Sequence, residues 1–189
     1  LKKECKTTSV ALVGPGAGKS TRTQKFTEEI LKRIKYVVLD ADSLNSFQRK
    51  TKKLLKYLDK NKLITPHQEE FHRLFPSIKK SLKNIEKVKK FLKFSKSNIL
   101  LKGSTTVIGS SKNIIINNHT SNELAVIGSG DVLAGIIGGF LSQDYNILEA
   151  TKLGCYIHSE CGNRLGRGLI ASDLIAEIPN ILKEMILSN

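Results

Sequence analysis

The sequence has no long apolar run. No stretch of its 189 residues approaches the length of a membrane span. The opening "LKKECKTTS" has no apolar signal-peptide core. Cysteine is sparse: Cys5, Cys155 and Cys161 form neither a metal-binding spacing nor an even set. A disulfide-built secreted scaffold is thereby excluded, and a reducing cytoplasm is the simple expectation. Acidic residues are outnumbered, 17 against 31 Lys and Arg, for a net charge of +14. Arginine is scarce, so the excess is lysine. It is spread over stretches such as "KKLLKYLDKNK" and "KKSLKNIEKVKKFLK", interleaved with apolar residues at helical spacing. These read as solvated helix faces. With no helix-turn-helix, zinc or RNA-binding aromatic motif, no nucleic-acid partner is expected. A basic surface still draws in small anions, nucleotides among them. The length suits one domain with a proper core, so residues 1–189 read as a single domain. The chain begins with Leu1 and not Met, which reads as a fragment or a processed product.

One stretch imitates a phosphate loop. "GPGAGKS", residues 14–20, ends in Gly-Lys-Ser, but such a loop needs its first glycine five positions before the second. Counting back from Gly18 gives Val13. Gly14 leaves one residue too few, and the curvature that presents consecutive backbone N–H groups is lost. What remains is a strand, "SVALVG", entering a tight Gly-Pro-Gly turn that lets backbone or ligand approach closely.

Apolar strands alternate with amphipathic helices. Strands are expected at "SVALVG", "YVVLDAD", "KLITP" and "NILLKG", and a hairpin at "TTVIGS" and "KNIIINN" turning through "SSKN". Helices are expected at "RTQKFTEEILKRIK", with Phe26, Ile30 and Ile34 on one face, and at "QRKTKKLLKYLDK", "QEEFHRLF" and "NIEKVKKFLKF". "GSGDVLAGIIGGFLSQ" reads as a buried helix, and two more close the chain. The fold class is α/β: a mostly parallel sheet with helices on both faces. Ligands in such sheets bind beyond the C-terminal strand ends. Residues 14–18, 40–45, 65–70 and 102–106 all fall there and would rim one crevice.

"GSGD", residues 128–131, opens a helix whose backbone N–H groups and dipole make an anion site. Asp131 in the first turn can take a proton from a hydroxyl attacking a phosphoryl group, or can be an ordinary helix-start acid. "LKGSTTVI" ends a strand with Lys102, Gly103 and three hydroxyls, suited to phosphate or ribose, or is a plain hairpin with one solvent-facing lysine. His67 in "TPHQEEF" can bond a ligand or cap the next helix. Asp40 or Asp42 in "DADSLN" can hold Mg²⁺ through water, orient a substrate, or cap a helix. His72, His119 and His158 have no evident partner, and His158, in an apolar helix, reads as packing. Cys155 and Cys161 read as core.

In order, "VGPGAG", "VVLDADSLN", "ITPHQEEF", "LLKGSTTVI", "GSGDVLAGIIGGFLSQ", "LGCYIHSECGNRLG" and "IASDLIAEIP" resemble the ADP/ATP-dependent NAD(P)H-hydrate dehydratases, which have a ribokinase-like fold. The likeness runs from about Val10 to the C-terminus. It implies that the glycine turn lines a hydrate-binding crevice and cradles no nucleotide phosphate. It also implies a reaction: dehydration of the S-epimer of NADHX or NADPHX back to NADH or NADPH. An adenine nucleotide, ADP or ATP, is the co-substrate, with Mg²⁺ as a helper of unassigned ligands. The nucleotide would lie near Lys102, Gly103, Ser104, Thr105 and Thr106, its reacting phosphoryl group over Ser129 and Gly130. The hydrate would lie against Gly16, Gly18 and His67, with Asp40 and Asn45 on the same rim and its hydroxyl facing Asp131, the base. Family members carry a longer segment before the glycine turn, so the early part of the domain is expected to be missing, leaving an exposed edge strand and apolar helix faces. The competing readings are a ribokinase-like small-molecule kinase, a nucleotide-binding domain without turnover, and a basic nucleic-acid binder. Homo-oligomerisation is left open, and no membrane association is expected.

Overall fold

The computed structural model describes residues 8–187; Cys5 lies outside them. Among these residues there are six strands and eight α-helices, and the strands form one sheet in sequence order, β1 to β6. They span Val10–Val13, Tyr36–Leu39, Lys62–Ile64, Asn98–Leu101, Thr106–Gly109 and Ile114–Asn117. β1 to β4 pair in parallel, while β4–β5 and β5–β6 are antiparallel. The sheet is therefore mixed, with the expected hairpin at its end, closed by Ser110 N–H donating to Asn113 O at 2.8 Å.

Eight helices accompany it: α1 Thr21–Arg33, α2 Ala41–Asn45, α3 Thr51–Leu55, α4 Gln68–Leu74, α5 Asn84–Leu92, α6 Ser129–Ser142, α7 Ile147–Leu165 and α8 Ala171–Leu187. Sequential parallel strands with crossovers of one hand put α1–α5 on one face. The strands bury both sides by alternation. Val37, Leu39, Ile64, Ile99, Leu101 and Val107 join the core under α1–α5. Their neighbours Val38, Leu63, Leu100 and Ile108 pack against Leu133, Ala134, Ile137 and Leu141 of α6 and Ala150 and Cys155 of α7. A third cluster, with Ile157, Cys161, Leu174 and Ile181, joins α7 to α8.

Three local expectations are corrected. Phe26 is exposed; the buried stripe of α1 carries Thr23, Gln24, Thr27, Ile30 and Leu31. The threonine hydroxyls donate to main-chain carbonyls, Thr23 to Gly18 O at 2.6 Å and Thr27 to Thr23 O at 2.8 Å. A satisfied hydroxyl can be buried cheaply, so the stripe turns away from Phe26. The helix expected over residues 48–60 forms only at Thr51–Leu55. Arg49, at φ 61°, breaks the chain just before it, and single turns such as Tyr57 N to Leu54 O replace it afterwards. α6 is buried along one flank only. Its other flank, with Asp131, Gly135 and Gly139, opens with α8 onto a groove of about 900 Å³. Apolar side chains such as Ile136, Ile175 and Met185 line this groove. β1 is an edge strand, with Leu12 partly exposed upon it.

Candidate functional site

The ends of β1 to β4 and the start of α6 meet as the topology requires. Gly14 begins the loop after β1 at φ 133°, and a Cβ there would lie 1.7 Å from Asp40 O. Only glycine lets the loop after β1 cross the end of β2 this closely. Gly16 and Gly18 also have positive φ, and Gly18 N–H donates to Asp42 Oδ2 at 2.8 Å. Ser20, the serine of the Gly-Lys-Ser imitation, caps α1 by accepting from Thr23 N–H at 3.0 Å.

Asp40 is buried at the end of β2, and Lys102 Nζ donates to its Oδ1 at 2.8 Å. The burial of Asp40 is tolerable because this partner neutralises it. Lys102 also reaches the start of α6: a Cβ on Gly130 would lie 3.2 Å from its Nζ. Beneath the loop after β4, Lys87 donates to Gln68 Oε1 at 2.8 Å and Gln68 donates to Lys102 O at 3.0 Å. Asn84 donates to Thr105 O.

His67 caps α4. Its Nδ1 accepts from Glu69 N–H at 3.2 Å, and its own N–H donates to Glu70 Oε2 at 3.0 Å. The half-exposed ring keeps Nε2 3.6 Å from Glu70 Oε2, and His67 helps to line a cavity. Asn45 donates to the same Glu70 carboxylate, at Oε1, 3.3 Å away.

A cavity of about 470 Å³ lies beneath the start of α6. Lys102, Gly103, Ser104, Thr106, Ser129 and Gly130 line it, together with His67. Those expected residues are brought together. Thr105 lies outside the lining, its carbonyl held by Asn84. Gly16, Gly18, Asp40 and Asn45 also lie outside it. Asp131 is exposed and faces the α6–α8 groove, one residue on from Gly130, so it marks the seam between the two spaces.

The start of α6 has anion-binding capacity. Gly128 turns the chain in at φ 85°. Ser129 N–H donates to Val126 O at 3.3 Å, but the N–H groups of Gly130 and Asp131 have no partner among the described residues. Two unpaired donors at a helix start, beside an ammonium group, favour phosphate.

His158 was read from sequence as packing, and it is buried, but its Nε2 contacts Ser129 Oγ at 2.8 Å and Ser129 O at 2.9 Å. Burial pushes its pKa down to about 4, a bond to the Ser129 backbone opposes this, and Lys102's charge assists it. Only spacing hinted at this: Cys155, His158 and Ser159 share one face of α7, at i, i+3 and i+4, and all line the cavity. Cys155 is inert, its thiol pushed up to about 12 by burial. Among the described residues no three His, Cys, Asp or Glu gather as a metal cage. Asp40 and Asp42 are already engaged, with Lys102 and Gly18. No helix among them is long and apolar enough to cross a membrane.

Layered sheet, glycine turn and helix-start cavity are those of a ribokinase-like α/β protein. The crystal structure of a ribokinase-like superfamily protein from Enterococcus faecalis V583 agrees, at TM-score 0.85 and 25% identity over 96% of this chain and 65% of that one. The family model described as NAD(P)H-hydrate dehydratase matches residues 2–183, and the chain belongs to that family. It is 33% identical over 184 residues to the bifunctional NAD(P)H-hydrate repair enzyme of Dictyoglomus turgidum, covering 92% of this chain and 35% of that protein. It is also 33% identical over 131 residues to the ADP-dependent (S)-NAD(P)H-hydrate dehydratase of Nitrosopumilus maritimus, covering 66% of this chain and 46% of that one. The chain spans about a third of the length of the first of these relatives.

Proposed function

We propose that residues 1–189 act as one domain that dehydrates the S-epimer of NADHX or NADPHX to NADH or NADPH at the expense of ADP or ATP. One observation carries the reading: Lys102 and the unpaired N–H groups of Gly130 and Asp131 converge at a single seam, with the Asp131 carboxylate on its other side. A phosphoryl group at the seam would meet the donors, and a hydroxyl in the groove would meet the carboxylate.

The chemistry balances. Asp131 takes the proton of the hydrate hydroxyl as its oxygen attacks the terminal phosphoryl group, and the shortened nucleotide leaves. Hydroxide is a poor leaving group and phosphate a good one. The C–O bond then breaks with phosphate departing, a proton is lost from the neighbouring carbon, and the ring double bond returns. Lys102 and the start of α6 stabilise the charge that develops on the phosphoryl oxygens. A Mg²⁺ held mainly by nucleotide phosphates and water would neutralise part of that charge, and needs no cage from the chain. His67, fixed by capping α4, presents its ring to the ligands on the β3 side. A reducing cytoplasm, where reduced nicotinamide cofactors are used, suits this role.

The test is to mix the chain with NADH hydrate, Mg²⁺ and either ADP or ATP, and to follow the return of NADH absorbance. Recovery that depends on nucleotide and falls about 10²–10⁴-fold in Asp131→Asn is expected. A phosphorylated product that accumulates with no NADH would instead assign a kinase.

A further inference from the structure

His158 Nε2 makes two contacts with one residue, Ser129 Oγ at 2.8 Å and Ser129 O at 2.9 Å. A carbonyl oxygen only accepts. The pair is attractive only if Nε2 carries the proton, so this geometry assigns the tautomer. A protonated Nε2 has no lone pair left for the serine hydroxyl proton. Ser129 Oγ therefore receives at His158, and its own hydrogen must point elsewhere. It has no other partner among the described residues, and the side chain lines the cavity. The backbone N–H of Ser129 is already given to Val126 O. The hydroxyl is thus the only donor this residue has left.

We infer that His158 is a positioning residue: it holds the Ser129 hydroxyl as a donor aimed at an anionic phosphoryl oxygen bound at the start of α6. This rests on the reading that the cavity takes nucleotide phosphate. The hydroxyl completes a set with the N–H groups of Gly130 and Asp131 and the Lys102 ammonium. The imidazole is suited to the task because it stays neutral. A cationic ring would compete for the anion itself. Because His158 sits on α7, the bond also fixes the start of α6 to the helix packed behind it.

The experiment is a double-mutant cycle on ADP and ATP affinity, measured by calorimetry for the unaltered chain, Ser129→Ala, His158→Phe and the pair. Ser129→Ala should weaken binding about tenfold, the effect of one hydrogen bond to a charged group. His158→Phe should weaken it similarly, yet have no further effect when Ser129 is already Ala. His158→Gln, which keeps a donor of similar reach, should recover most of the affinity. Should His158→Phe fail to fold, His158→Asn, too short to reach Ser129, takes its place. Equal losses in both backgrounds, or unchanged affinity in folded His158→Phe or His158→Asn, would overturn the inference and leave the function standing. An unaltered chain that binds neither nucleotide would sink both together.

Discussion

The two faces of the sheet are finished to different degrees. On the α1–α5 side, strand residues meet a continuous core that includes Phe47, Phe71, Phe75 and Phe91, all fully buried. On the other side α6 and α7 cover the sheet, but α8 stacks on α7 and leaves the outer flank of α6 open. The closed face holds the loops that carry His67 and Lys102. The open face holds Asp131. The Lys102 loop therefore rests on a packed frame, whereas the Asp131 carboxylate stands at the mouth of an apolar groove. The Enterococcus faecalis structure, which matches nearly all of this chain, has about a third of its own length outside the match.

That contrast can be broken at its strongest point. Gly14→Ala would drive a Cβ into Asp40 O at 1.7 Å. We expect a loss above about 4 kcal/mol, seen as failure to fold or collapse of the thermal transition. Next comes a pair that sets the faces against each other. Ile137, fully buried between α6 and α7, should cost about 2–5 kcal/mol as Ile137→Ala in urea unfolding. Ile175, 59% exposed in the groove, should cost within about 0.5 kcal/mol as Ile175→Ala. Comparable losses would mean that the groove is not open in the folded chain.

The cavity beneath α6 carries a pH signature. His158 has its pKa lowered to about 4 from 6.5 by burial. Below 6.5 the unfolded chain takes up a proton that the folded chain refuses. Its stabilising contribution is complete above that pH, declines as pH falls, and is gone near 4. The swing is about 3 kcal/mol. Denaturant unfolding between pH 7 and 4 should show it, and His158→Gln should flatten it. His72, lowered in the same sense by burial, leaves a smaller residue of the slope. Of opposite sign is Gly139→Ala, where a Cβ on the open flank of α6 meets nothing within 4 Å. It should stabilise the chain by about 0.5–1 kcal/mol. A loss instead would reveal backbone packed against that flank.

Much of this was legible in the sequence for physical reasons. Strands buried on both faces read as continuous apolar runs, and residues at strand ends converge whatever the intervening helices do. His67 and Lys102 were therefore readable as neighbours, whereas Ser129 and Gly130 joined them only through the family resemblance. Ser20 could be removed from phosphate chemistry by counting alone. His158 could not be read, because nothing local distinguishes a packed imidazole from one bonded to a residue 29 positions away. Phe26 misled because apolar spacing takes no account of threonine hydroxyls that bond main-chain carbonyls. The short α3 misled because spacing does not register a left-handed Arg49. The engagement of Asp40 by Lys102 spans 62 positions and is equally silent in sequence.

The Asp40–Lys102 ion pair makes the ammonium a shared resource. An anion entering beneath α6 competes with a carboxylate that has almost no water to fall back on. As Lys102 turns toward the newcomer, Asp40 loses its counter-charge. The segment it begins also carries Asp42, which holds the glycine turn through Gly18 N–H. Under the proposed function, loading one ligand would loosen the frame around the other, and by reciprocity the second ligand would alter the grip on the first. Two sites that share no side chain would in this way weaken each other's ligands by the same factor.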